Sequence, residues 1–84
     1  MIDSENNEVA SGDIVKVLKI PEGLLLPDDE KPYIYGMLGN KYPIAEIVNN
    51  DRQVSLDIEI EVAAGQWFCG GLYLNSNEFI LIKT

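Results

Sequence analysis

An all-β domain of five or six short strands is what this sequence predicts, arranged as a small closed or nearly closed barrel or as two packed sheets. Three observations predict it. The stretch "QVSLDIEIEV" alternates without a slip, with Val54, Leu56, Ile58, Ile60 and Val62 on one side and Ser55, Asp57, Glu59 and Glu61 on the other. That is the period of a half-buried strand. Further β-branched runs are separated by Gly, Asn, Asp and Pro, the residues of turns. No amphipathic helix of useful length, internal repeat or low-complexity segment interrupts the pattern.

The elements follow in order. Residues 1–11 are polar, acidic and aperiodic, which predicts a flexible acidic tail ahead of one domain over residues 12–84. Gly12-Asp13 is turn chemistry. The apolar run from Ile14 to Ile20 reads as the first strand, ended by Pro21, which lacks the N–H a ladder needs. Prolines 21, 27 and 32 punctuate a long loop, in which Leu24, Leu25 and Leu26 are too apolar to stay wholly exposed. A short strand is predicted over residues 33–38, a turn at Gly39-Asn40, and a second strand from Tyr42 to Val48. Asn49-Asn50-Asp51 suits a hairpin that sets residues 44–48 beside 54–60, because asparagine tolerates positive φ. After Ala63-Ala64-Gly65 comes a further arm, "QWFCGGLYL", where Gly70-Gly71 suggests a bulge or bend. "NSN" is a turn and "EFILIKT" a closing strand.

The first strand, residues 12–17, has the form "GDxVxV", and the last, residues 77–82, is of the "xELxLI" type, with Phe79 in place of the first leucine. With a long loop and a three-stranded meander between them, this order resembles the SH3-like small barrels. Among those it is similar in layout to the photosystem I accessory subunit and to the variable chain of ferredoxin–thioredoxin reductase. The resemblance implies an SH3-like barrel and a structural accessory subunit docked on an electron-transfer complex.

Composition narrows the partners. Fourteen acids against six bases and no histidine leave a net charge of −8. Such a field repels nucleic acid and anionic membranes and attracts basic surfaces. Cys69 is the single cysteine, so no internal disulfide forms, and it is expected to be a small buried hydrophobe beside its aromatic neighbours. The first residues lack the sections of a signal peptide and no apolar run reaches the ~18 residues of a membrane span, which places the expected site of action in the cytoplasm.

Catalysis finds little to work with. The commonest general base at neutral pH is missing, and the glycines form neither a P-loop nor a dinucleotide fingerprint. Same-side residues of a strand stand ~7 Å apart, so Asp57, Glu59 and Glu61 are spread too widely to gather a calcium ion, which wants its oxygens within ~2.6 Å. No catalytic residue, metal or cofactor is expected. Neighbouring carboxylates at that spacing repel by only ~0.6 kcal/mol in water and by about half that in salt. Lys16 or Lys19 on an adjacent strand can offset it. A plain wet face that discourages edge pairing therefore accounts for the row as simply as a docking surface does.

Trp67, Phe68, Tyr73 and Phe79 are expected to supply most of the core, but Trp67 and Phe68 are consecutive in a strand and must face opposite ways. An outward Trp67 near Tyr33, Tyr35 or Tyr42 would resemble the aromatic groove with which SH3-like barrels hold peptides. The functional expectation is a non-catalytic, acidic protein-binding module. Its sharper form is an inhibitor of the immunity, anti-restriction or anti-CRISPR type that docks on a basic protein surface. Asp57, Glu59, Glu61, Trp67 and Tyr35 are the candidate partner-binding residues. The accessory-subunit role is the alternative, and self-association through "EFILIKT" is a third.

Overall fold

The β-branched runs become six strands: β1 (Ile14–Val17), β2 (Lys41–Pro43), β3 (Glu46–Val48), β4 (Gln53–Ala63), β5 (Gln66–Asn75) and β6 (Phe79–Leu81). A computed structural model describes residues 1–21 and 27–82, so the expected return of Leu24, Leu25 and Leu26 over the core lies outside the described residues. One short helix, α1 (Lys31–Tyr35), and a 3-10 turn at Ser76–Glu78 complete the described elements. The strands form two antiparallel sheets of three, ordered β2-β1-β6 and β3-β4-β5. The all-β character stands, and of the two arrangements the sequence allowed, the structure has two sheets. The barrel does not close.

The reason lies between residues 41 and 48. The single strand predicted from Tyr42 to Val48 is divided, with β2 pairing to β1 and β3 to β4. Pro43 has no N–H with which to continue a ladder. The next two amides turn to different partners: Ile44 donates to the Asp13 carbonyl at 2.9 Å and Ala45 to the Ser55 carbonyl at 2.8 Å. Ile44 is thereby buried at the junction of the sheets. On the far side β5 pairs with β4 alone. Val15, Val17, Met37, Val54, Leu56, Leu74 and Phe79 are fully buried around this junction.

The β3–β4 hairpin forms around the expected asparagine turn but is shorter than expected, pairing residues 46–48 with 53–55 in the register Glu46–Ser55, Ile47–Val54 and Val48–Gln53. Asn49, Asn50 and Asp51 all take positive φ, at 55°, 57° and 68°. The β4–β5 hairpin is longer than the core beneath it. On the inward side of β4, Val54 and Leu56 are fully buried and Ile60 only partly, while Val62 is 41 % exposed. The radius of gyration of 12.9 Å exceeds the about 12 Å expected of a compact chain this long, in keeping with this projecting arm. The ladder passes straight through Gly70 and Gly71, which face Ile58 and Asp57, so the expected bulge there is absent. The irregularity falls between Glu61 and Ala63 instead. Gly70 serves packing: a Cβ there would lie 2.8 Å from the Phe68 ring, which leans across it.

The strand predicted over residues 33–38 is helix and turn. Pro32 sits in the first turn of α1, where its missing N–H has no intrahelical partner to lose. Asp28 pairs with Lys31 at 2.9 Å on the approach. Ile34 points into the core, and Tyr33 stacks on Phe68 with centroids 4.9 Å apart. The stack puts α1 on the core side of the β4–β5 ribbon.

Residues 1–11 are not a loose tail. Val9 is buried, Met1 packs on the core, and Ile2 bridges Glu8. One carboxylate organises the segment. Asp3 is 2 % exposed; its Oδ1 accepts from the Glu5 and Asn7 amides at 2.8 Å, and its Oδ2 from the Asn7 side chain at 3.0 Å and the Leu81 amide at 2.7 Å. Burial alone would raise its pKa, but these bonds prevail and hold it at about 2. The Ser4 amide also donates to the Phe79 carbonyl at 3.0 Å. The outer edge of β6 is therefore occupied by the chain's own first residues, and that leaves residues 79–81 poorly placed for pairing with a copy.

Candidate functional site

Directly opposed residues of an antiparallel pair project from the same face. The register of β4 and β5 therefore sorts the side chains. Val54–Leu74, Leu56–Leu72, Ile58–Gly70 and Ile60–Phe68 face the core. Gln53–Asn75, Ser55–Tyr73, Asp57–Gly71, Glu59–Cys69 and Glu61–Trp67 face outward. Glu46 of β3 joins them opposite Ser55.

Four of the five candidate residues meet on this outer face. Asp57, Glu59 and Glu61 form an exposed row, and Trp67 stands beside Glu61 with 59 % of its surface exposed. Tyr35 is exposed as well, but it belongs to α1 on the opposite side of the sheet. Its separation follows from residues 31–35 being helix. Tyr73, expected in the core, is instead 56 % exposed at the other end of the row. Trp67 likewise faces outward, so only Phe79 among the four late aromatics is fully buried. Cys69 is exposed rather than buried, because its place opposite Glu59 puts it on the wet face.

The charge on this sheet is uncompensated. β3, β4 and β5 contain no lysine or arginine. The expected offset fails because Lys16 lies on β1 in the other sheet. Glu46, Asp57, Glu59 and Glu61 take part in no ion pair among the described residues. Nor do any three Asp, Glu or Cys side chains among the described residues gather closely enough to hold a metal ion.

Between the two aromatics the surface dips. A depression of 340 Å³ is lined by Ser55, Asp57, Gly71, Leu72 and Tyr73. Gly71 keeps it open, since a Cβ there would stand 3.3 Å from the Asp57 carboxylate. Ser55 is 7 % exposed, overhung by Glu46 and Tyr73 on the flanking strands. Its presence could be read from the parity of β4, and that of Tyr73 from its even spacing to Trp67 on β5. A larger hollow of 380 Å³, lined by Met1, Ile2, Asp51, Arg52 and Ser76, lies beyond the Gln53–Asn75 pair and shares no residue with the acidic row.

No helix among the described residues is long and apolar enough to cross a membrane. No protein-family model, curated protein or solved structure matches the chain.

Proposed function

We propose that the protein is a non-catalytic binding module that docks the outer face of its β3-β4-β5 sheet on a basic surface of a protein partner. The action that follows is inhibition of the immunity, anti-restriction or anti-CRISPR type, in which acidic residues occupy a groove built for nucleic acid. One observation carries the reading: Glu46, Asp57, Glu59 and Glu61 share a sheet without a single cation, and exposed Trp67 and Tyr73 flank the row. Aromatics supply contact area at low entropic cost, while the carboxylates steer the encounter. A merely solubilising face needs the charges but not the aromatics.

Affinity capture from the source cell tests this, with wild type and the Asp57→Lys/Glu59→Lys double variant as baits. Wild type is expected to retain a partner with a basic surface. The variant should associate at least tenfold more slowly at low salt, with the gap closing as salt is raised. Equal on-rates at every salt concentration would remove the acidic row from the contact. Recovery of a larger redox protein would favour the accessory-subunit role instead.

A further inference from the structure

The outer edge of β5 is the longest unpaired strand edge among the described residues, open from Gln66 to Leu74 and closed at Asn75, whose amide donates to the Glu78 carboxylate at 2.7 Å. No backbone hydrogen bond from a described residue reaches it from the side away from β4. The contrast with β6 is sharp, since that edge is occupied by Ser4 and Asp3. Small soluble proteins blunt long edges with inward charges, lysines, prolines or bulges. β5 has none of these.

We propose that this edge takes up an extended, lysine- or arginine-bearing segment of the partner as an added strand, whose basic side chains reach across β5 to Asp57 and Glu59. The proposal rests on the docking reading above and specifies how contact is made. Three features support it. An added strand would lie about 4.8 Å from β5 and so nearly 10 Å from β4. The four-carbon stem of a lysine covers most of the remaining gap, provided that nothing bulky stands between. On the outer face of β5 the intervening residues are Gly71 and Cys69, both small, with bulk only at Trp67 and Tyr73 on either side. Alternate residues of the added strand are about 7 Å apart, which matches the spacing from Asp57 to Glu59.

The depression supplies an independent indication. Ser55, 7 % exposed, and the Asp57 side chain both line it. A cation reaching over Gly71 would meet the Ser55 hydroxyl and the Asp57 carboxylate together. Charge decides the occupant. A second copy of this chain would bring another net −8 against the same edge, whereas a basic segment is drawn in by the field that repels the copy.

The test uses synthetic octapeptides and the full chain. An alternating Lys-Val peptide is expected to bind in titration calorimetry, and its addition should slow hydrogen exchange at the β5 amides that point away from β4. The same peptide N-methylated at the amides that face β5 keeps its charge but cannot pair, and should bind at least tenfold more weakly. Tyr73→Ala and Trp67→Ala should weaken the unmodified peptide several-fold, and an alternating Glu-Val peptide should not bind. Equal binding of the N-methylated peptide would overturn strand addition while leaving the acidic docking face in place. Loss of the tenfold on-rate effect of Asp57→Lys/Glu59→Lys on the captured partner would instead remove the docking reading itself. A β5-to-β5 dimer, seen as doubled mass in sedimentation with the same exchange protection, would also overturn the proposal.

Discussion

Asp3→Ala is expected to destabilise the fold by about 2–4 kcal/mol, because it removes the buried acceptor of several part-buried hydrogen bonds at once. The main-chain amides of Glu5, Asn7 and Leu81 all depend on that carboxylate. A domain of 84 residues has a total stability of about 4–12 kcal/mol, so the loss is a large share. Urea denaturation followed by far-UV circular dichroism measures it. The pH dependence gives a second readout with a definite sign. The folded carboxyl titrates at about 2, below its ordinary value of 3.8, so the unfolded chain binds the proton more readily in that window. Its contribution is fully present above the unfolded value and is lost as pH falls through about 2. Wild type should therefore lose on the order of 2 kcal/mol relative to Asp3→Asn between pH 4.5 and pH 1.5. Parallel curves for the two proteins would show that the carboxylate is not holding the segment.

Phe79→Ala is expected to cost about 3–5 kcal/mol, the range for emptying a fully packed aromatic site. Phe79 is fully buried, opposes Val17 at the start of β6, and accepts the Ser4 amide on its carbonyl. Its loss leaves a void against β1 and loosens the strand to which the first residues are fixed. Trp67→Ala and Tyr73→Ala, on exposed positions, should by contrast change stability by less than about 0.5 kcal/mol. The comparison matters for function. Only if the two outer aromatics are dispensable to the fold can their effect on binding be read as contact with a partner. Thermal unfolding of the three variants side by side provides the measurement.

The residues announced some of this and concealed the rest for physical reasons. β4 was legible because a strand with one wet face alternates with period two, and its register then followed from the asparagine turn. The fading burial at Ile60 and Val62 was not, since alternation reports which side is apolar and not how far the core extends. The division of the run from Tyr42 to Val48 turns on one proline whose meaning depends on which sheet waits on each side. α1 was hidden because Tyr33, Ile34 and Tyr35 favour strands, while Pro32 and contacts to Phe68 favour a turn of helix. The first eleven residues have no periodicity to read. Their order comes from hydrogen bonds to a single carboxylate, which composition cannot reveal. Within the candidate site, the acidic row and Trp67 were visible from parity. Tyr73 was hidden by the assumption that an aromatic in a strand belongs to the core. Tyr35 was misplaced with its element.

The bond between Asp3 and Leu81 joins residues 78 positions apart. Loop closure over such a span carries a large entropic penalty and adds to the contact order that slows folding. The hairpins β3–β4 and β4–β5 are local and can form early, whereas this clasp can close only after residue 81 is in place. A late contact of that kind is absent from the folding transition state, so weakening it accelerates unfolding and leaves the folding rate nearly unchanged. Asp3 is therefore expected to act as a kinetic latch. It would govern how long a folded molecule stays folded, and a stopped-flow chevron of Asp3→Asn should show the whole effect on the unfolding arm.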